Sequence, residues 1–407
     1  MAYPPISETV LNTSIKSNAH EPYYSYQSDI DLYDIHQFTN GQPFKTYDDL
    51  RTNSPIYFQN PPEWDVEPGA WMLTSYKDIM EVSSNPKIYS SQAATGNLMT
   101  LGNPETRHPK LWQTSIDHML NLDGSFHLDL RREHMPFFKP GYVDELHKKV
   151  EIKVETLLDA IAKVGKSNLV KDLSQQIPIF TLSEVLGIPE EDRHKLATWM
   201  EFLELAQYFA AENMKQTQGK AEEMEVDTSM IELFESMIGE MFDYGKHILQ
   251  EKRMNPQNDL LSAIANAELD GAKLSQEYLD GSWLLIIFAG NDTTRNSISG
   301  AIKLLSEFPE QKKKLLSNLD LLPNFAQETI RMVSPVIHMR RTTTCETTLG
   351  NQKLGKGEKV IMWYGAANRD PSIFSNPHEF DIERENAVKH LAFGMGRHTC
   401  IGKPVAL

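Results

Sequence analysis

The stretch that most constrains this chain is Phe393-Gly394-Met395-Gly396-Arg397-His398-Thr399-Cys400-Ile401-Gly402, where one of only two cysteines sits in a glycine-punctuated loop just before a potential helix. Gly394, Gly396 and Gly402 carry no Cβ, so the backbone can adopt positive φ and approach a flat ligand closely, with loop amides free to turn toward the Cys400 sulfur. Amide donors aimed at a sulfur stabilise its anion. A thiol of ordinary pKa about 8.5 loses its proton when it binds a metal. Most lone cysteines are small buried hydrophobes, so residue type alone favours an inert core cysteine over a metal ligand.

The ten residues resemble the signature of the cytochrome P-450 superfamily, F-G-x-G-x-H-x-C-x-G, at every specified position. The resemblance implies that Cys400 is the axial thiolate of a haem b (iron protoporphyrin IX). It also implies that Phe393 packs on the sulfur side of the macrocycle, that Gly394 and Gly402 shape the loop, and that His398 faces a propionate. A thiolate on haem iron pushes electron density toward O–O cleavage.

Composition bounds the rest. Forty Lys and Arg against 56 Asp and Glu give a net charge of −16, which argues against nucleic-acid binding and against adhesion to anionic lipid. Cys345 and Cys400 cannot build a disulfide framework, so a reducing cytoplasm is the expected compartment. Residues 1–20 contain no apolar core of a signal peptide, and the longest apolar run, Trp283 to Ala289, is far short of the ~20 residues a membrane span needs. Residues 1–45, polar and rich in Tyr, Asn and Ser, read as a loosely ordered lead-in, and 46–407 as a single domain.

Short β-prone pieces at 55–58 and 70–74 flank the turn-rich Asn60-Pro61-Pro62-Glu63 and predict a hairpin. A helix over 75–83 follows. Residues 90–121 resist regular assignment, and long irregular loops in compact domains tend to be functional. From Gly124 the pattern is mainly helical, with a break at Gly187-Ile188-Pro189 and a polar gap over 216–225. Beyond that gap Met230, Phe234, Met237, Met241 and Tyr244 or Gly245 form one apolar stripe. Family resemblance makes this gap and its flanking helices a lid over a substrate channel. A helix of about 33 residues is predicted from Ser275, as N-cap, to Phe308, with Pro309 opening the next. It is long enough to cross a molecule of this size.

The family's other landmarks occur in order. His127 and Arg131, four apart on one helical face, match a propionate-binding pair, although Asp123-Gly124-Ser125-Phe126 departs from the Asp-Pro-Pro-Glu entry. Ala289-Gly290-Asn291-Asp292-Thr293-Thr294 interrupts the long helix, at a cost of ~1 kcal/mol for the glycine. Flanking Leu284, Ile287, Ile298 and Ile302 point to burial. The segment matches the oxygen-activation motif: Ala289 and Gly290 leave room at the oxygen site, Thr293 donates a hydrogen bond there, and Asp292 relays protons. Glu328 and Arg331 match E-x-x-R, completed by Arg384. Arg341, rather than its neighbour Arg340, aligns with the propionate-binding arginine, and Val336 and Ile337 with the pocket wall beside the haem.

The resemblance implies a mostly α-helical fold with a small β-rich lobe and haem buried between the central helix and the cysteine loop. The expected reaction is hydroxylation of an unactivated C–H bond of a small apolar aliphatic substrate (alkane, terpenoid, fatty acid or sterol side chain) with O2. Its two electrons would come from a ferredoxin and an NAD(P)H-dependent reductase. Arg131, Arg132, Lys139, Arg397 and Lys403 form the expected ferredoxin patch, and a monomer is expected. The alternatives are a peroxide-using or nitric-oxide-reducing relative and a non-catalytic haem binder or sensor. The family pattern runs on past the position of Leu407 through a further helix and β-hairpin, so the chain reads as a fragment.

Overall fold

The computed structural model describes residues 32–59, 69–92, 109–115, 117–203, 228–269 and 271–407. These group into two compact units. One comprises residues 109–295 and is helical; the other joins 32–92 to 296–407 and holds the main sheet.

The strands are β1 (Ile56–Gln59), β2 (Ala70–Leu73), β3 (Tyr89–Ser90), β4 (Glu268–Leu269), β5 (Ala272–Lys273), β6 (His338–Thr343), β7 (Thr347–Leu349), β8 (Gln352–Leu354) and β9 (Lys359–Trp363). Five form a mixed sheet in the order β1-β2-β9-β6-β3. The predicted hairpin exists as the antiparallel pair β1–β2, Ile56 opposite Leu73; its turn lies outside the described residues. β2 then runs parallel to β9, Ala70 opposite Lys359. Strands covered on both faces read as unbroken apolar runs, which is how Ala-Trp-Met-Leu and Val-Ile-Met-Trp appear here. Alternation divides them. Trp71, Leu73, Val360 and Met362 join one cluster with Ile79, Tyr364 and Leu391, while Ala70, Met72, Ile361 and Trp363 join another with Tyr47 and Leu50.

Of the expected lead-in, residues 1–31 lie outside the description. The part from 32 onward is packed: Leu32 is 2% exposed, Phe38 and Phe44 lie against the second cluster, and a helix begins at Phe44. Aromatic side chains account for this, since Phe38 stacks on Trp363 at 5.8 Å. Of the irregular stretch 90–121, residues 93–108 and 116 also fall outside. The predicted helix over 75–83 runs Tyr76–Ser84, capped by Ser75, whose side chain accepts from the Asp78 amide.

In the helical unit the predicted break falls where helix Gln176–Leu186 ends on Gly187 at φ +68. A Cβ there would come within 2.3 Å of Asp259 Oδ2. Asp259 is paired with Lys252 at 2.5 Å, both nearly fully buried, and its other oxygen accepts from the Ser262 amide at the start of helix Leu260–Asn266. One carboxylate thus serves as ion-pair partner, helix cap and floor beneath a glycine turn.

The apolar stripe lies on helix Thr228–Met254. Met241, Ile238, Phe242 and Ile248 are buried, and Gly245 allows contact with Trp283, whose ring a Cβ would meet at 2.5 Å. The proposed lid gap at 216–225, and the side chain of Met230, lie outside the described residues.

The central helix spans Gln276–Glu307, 32 residues or about 48 Å, and Pro309 opens the next helix. Ser275 is not a side-chain cap as predicted: its Oγ has no hydrogen-bond partner among the described residues, and it enters the helix through its carbonyl, which accepts from the Leu279 amide at 3.1 Å. Of the flanking apolar residues, Ile287 is fully buried but Ile302 is 42% exposed, so the helix's apolar face is narrower than its sequence suggests.

Candidate functional site

The cysteine loop belongs to the sheet-containing unit. Gly394 and Gly396 adopt φ +66 and +72, which a side chain would strain. At Gly396 a Cβ would also press to 2.8 Å on the Ser83 carbonyl. The Cys400 amide donates to the Phe393 carbonyl at 2.8 Å, closing the loop on itself. A helical turn, Lys403–Ala406, follows. Neither cysteine is disulfide-bonded and both are exposed.

Around this loop the strands and helices place cations and aromatics. Phe393 lies 5.5 Å from the His390 ring, with Lys403 Nζ 5.5 Å over its face. His398 Nε2 is 3.2 Å from Ser91 Oγ. Arg341 is buried on β6 opposite Val360, and its Nη1 donates to the Arg340 carbonyl at 2.7 Å. Burial pushes the Tyr364 phenol up, and the Arg341 charge opposes that shift. The Tyr364 hydroxyl lies 3.6 Å from where a Cβ on Gly394 would project. Arg341, Tyr364 and Gly394 therefore share one neighbourhood. The sequence resemblance includes Tyr364 in the stretch Met362-Trp363-Tyr364 but gives it no role in the site.

Val336 and Ile337 are adjacent in sequence but belong to opposite sides of the sheet. Val336 packs on the cluster containing Tyr364 and Leu391, whereas Ile337 packs with Tyr47 and Trp363. Only Val336 shares a cluster with Tyr364.

Behind the loop, Glu328, Arg331 and Arg384 form a buried triad. Arg331 clamps Glu328 with Nε to Oε2 at 2.7 Å and Nη2 to Oε1 at 2.8 Å, and Arg384 Nε adds a third bond at 3.0 Å. The remaining guanidinium donors reach carbonyls: Arg331 to Asn368 and Pro377, Arg384 to Ser375 and Asn376. Planar, bidentate geometry is what makes two arginines suitable here. The triad ties helix Leu322–Val333 to the loop over residues 375–384 that leads toward the cysteine.

The helical unit carries the other candidates. On helix Gly124–His134, His127 is buried and Arg131 half-buried; Gly124 at φ +69 makes the entry that Pro-Pro makes in the family pattern. On the central helix Ala289 is exposed and Thr293 half-buried. Thr293 Oγ1 donates to the Ala289 carbonyl at 3.3 Å, the back-bonding that bends helices slightly. Asp292 Oδ1 accepts from Arg295 Nη2 at 2.5 Å. Gly290 has a packing reason that sequence did not show, since a Cβ would lie 2.9 Å from Leu182 Cδ1.

No group of three or more His, Cys, Asp or Glu that could hold a metal ion occurs among the described residues. Soft thiolate ligation suits the iron of a tetrapyrrole, which brings its other donors with it. The residues present fit haem. A cleft of about 530 Å³ in the helical unit is lined by none of the candidate residues. It carries Asp117, Glu235, Asp243, Glu277 and Asp280, a poor match to an apolar substrate. No described helix is long and apolar enough to cross a membrane.

Comparison with known proteins fits this chemistry. Residues 88–407 match the family model of cytochrome P450. The chain is 31% identical over 377 residues to linalool 8-monooxygenase of Pseudomonas putida, covering 92% of this chain and 88% of that one. It is also 31% identical to the methyl-branched lipid omega-hydroxylase of Mycobacterium tuberculosis, covering 88% and 79%. Among solved structures, the Mycobacterium marinum cytochrome P450 CYP268A2 in complex with pseudoionone superposes with a TM-score of 0.81 at 28% identity, covering 95% of this chain and 90% of that one. With a mostly α-helical fold that includes a small sheet lobe, and a family model that matches residues 88–407, the chain belongs to the cytochrome P450 family. It is an oxidoreductase of the monooxygenase type, and family membership implies haem, O2, a redox partner and a small apolar substrate.

Proposed function

We propose that this monooxygenase hydroxylates an unactivated C–H bond of an acyclic or branched aliphatic substrate, a terpenoid or methyl-branched lipid, with electrons from a ferredoxin served by an NAD(P)H-dependent reductase. The observation that carries the haem-thiolate part is Cys400: an exposed thiol on a loop whose Gly394 and Gly396 hold positive φ. When bound, the haem supplies reductive activation of O2, with the thiolate favouring O–O cleavage. By resemblance, Arg341 and His398 in the sheet-containing unit would hold a propionate, Phe393 and Val336 would flank the cofactor, and His127 and Arg131 on their own helix would each offer a donor to a propionate. Ala289 and Gly290 keep side-chain volume off one turn of the central helix. Thr293 holds a proton at its Oγ1 for donation, and Asp292 takes protons from solvent.

The named relatives support the substrate class, since one acts on linalool, another on a methyl-branched lipid, and the structural neighbour holds pseudoionone. The ferredoxin assignment rests on Arg397 and Lys403 beside the cysteine and on Arg131, Arg132 and Lys139, charges set against an acidic chain. We place the protein in the cytoplasm as a monomer, because its two cysteines suit a reducing compartment. Titrating the haem protein with linear and cyclic terpenoids, branched fatty acids and sterols, followed by product analysis with a ferredoxin and its reductase, tests the class. Spectral shifts and hydroxylated product confined to sterols or to polar ligands would overturn it.

Thr293→Ala is expected to leave ligand affinity unchanged while lowering the share of NAD(P)H electrons recovered in product by about fivefold, the value of one ordinary hydrogen bond of ~1 kcal/mol. Product and released hydrogen peroxide are measured together. Unchanged coupling would remove Thr293 from the role.

A further inference from the structure

Three polar atoms near the end of helix Leu322–Val333 are buried with no hydrogen-bond partner among the described residues: Arg369 Nη1, Tyr47 Oη and Gln42 Oε1. The other contacts of these side chains fix where they lie. Arg369 is 4% exposed; its Nη2 donates to the Met332 carbonyl at 2.7 Å, and its guanidinium lies 3.5 Å over the Phe44 ring. Burial, with the Arg331 charge adding, lowers its pKa to about 9, so at neutral pH it is still a cation. Gln42 Nε2 donates to the next two carbonyls, Val333 and Ser334, at 3.1 Å each, so its amide cannot turn round without losing both bonds. Its Oε1 rests over Gly365, where a Cβ would come within 1.8 Å, and Gly365 stands four residues ahead of Arg369. Tyr47, fully buried, follows Phe44 by three residues on helix Phe44–Asn53, with ring centroids 6.1 Å apart. Its phenol and the Arg369 guanidinium feel each other's charge. Two orphan donors and one orphan acceptor therefore gather at one helix end.

A buried polar atom left unmatched is costly, and ordered water is the usual partner where the protein supplies none. A buried water makes about three hydrogen bonds, the number left open here. We infer that one ordered water seats helix Phe44–Asn53 on the end of helix Leu322–Val333, accepting from Arg369 Nη1 and the Tyr47 hydroxyl and donating to Gln42 Oε1. The mix of donors and acceptor selects the occupant. A chloride could take both donors but would meet the Gln42 carbonyl oxygen with like charge, and a metal cation could take that oxygen but would be repelled by the guanidinium. Water answers both. The consequence is mechanical. The last carbonyls of a helix carry the negative end of its macrodipole; Arg369 and Gln42 both bind there, and the water joins them to Tyr47. Helix Phe44–Asn53 is thereby tied to the helix that bears Glu328 and Arg331. The inference does not rest on the monooxygenase reading.

A high-resolution crystal structure of the haem protein should show one water within hydrogen-bonding distance of Arg369 Nη1, Tyr47 Oη and Gln42 Oε1. Amide hydrogen exchange over residues 44–53 then reads the tie in wild type, Tyr47→Phe, Gln42→Met and the double variant. Tyr47→Phe removes one bond to the water and should speed exchange about fivefold, the worth of one ordinary hydrogen bond. Gln42→Met removes the water's acceptor along with two bonds to carbonyls and should speed it further. Tyr47 and Gln42 make no bond to each other, so they couple only through the water. Once Gln42 is gone, Tyr47→Phe should therefore add little, and the double variant should exchange like Gln42→Met. Effects that multiply instead would overturn the shared water. So would an empty site in a map that resolves other buried waters, or a peak that gives an anomalous signal after bromide exchange, which would make the occupant an anion. If Gln42→Met does not fold, the wild-type map alone decides.

Discussion

Arg331→Leu is expected to yield protein that does not fold or does not retain haem. The guanidinium is fully buried and makes two bonds to Glu328, with further bonds to the carbonyls of Asn368, Pro377 and Glu379. Leucine removes all of them at once. Glu328, itself 0% exposed, keeps Arg384 and the Asp381 amide as its donors among the described residues. Breaking a buried pair from one side costs roughly 3–5 kcal/mol, against the ~5–15 kcal/mol that holds a domain folded. Arg331→Lys restores the charge but cannot restore the two-pronged geometry, so it should recover only part of the loss. Expression yield, haem content and denaturant midpoint measure the effect. Full haem occupancy and an unchanged midpoint in Arg331→Leu would show that the triad is not what ties its helix to the cysteine side.

The second large effect is loss of stability in mild acid. Burial lowers the pKa of His118 from 6.5 to about 4. It does the same for His390, with Lys403 and Arg331 adding to the shift. Geometry around His390 agrees: the Ala392 amide donates to Nδ1 at 3.2 Å, and Nε2 faces Gln327 Oε1 at 3.1 Å. Nδ1 is thus an acceptor and the ring is neutral. Since the folded pKa lies below the unfolded value, the unfolded chain takes up protons first as pH falls, and folding weakens between pH 6.5 and 4 while remaining intact above. A shift from 6.5 to about 4 is worth about 3 kcal/mol per histidine. Denaturant midpoints at pH 7 and pH 5 should differ strongly. Burial lowers the pKa of His338 to about 4 as well, and lowers that of His134, so a double variant with glutamine at 118 and 390 should lose a measurable part of that difference but not all of it; persistence of the full pH dependence would mean that other groups cause it.

How much of this was readable in the residues varies with the range of the interaction. The cysteine loop and the Glu328–Arg331 pair are local patterns, so the family resemblance could find them residue by residue. Arg384 was reachable because its segment was already fixed by the family pattern. The strands β1 and β2 were visible because their apolar runs are bracketed by turn residues. What stayed hidden depends on neighbours distant in sequence. Gly290 sits against Leu182, over a hundred positions away, and Gly187 against the Lys252–Asp259 pair; nothing local announces either contact. Val336 and Ile337 looked equivalent because both are apolar, and only the tertiary packing assigns them to different clusters. Ser275 had the residue type of a cap without the geometry. Tyr364 had no assigned role, and its relation to Arg341 and Gly394 depends on how β6, β9 and the cysteine loop pack.

The central claim is that Cys400 supplies the only protein ligand to a haem iron, and the ferrous carbon monoxide spectrum reads it directly. Wild type and Cys345→Ser are expected to show the red-shifted Soret band of a thiolate-ligated haem, and Cys400→Ser to lose it while keeping the fold measured by circular dichroism. Loss of the band in Cys345→Ser with retention in Cys400→Ser would contradict the account outright.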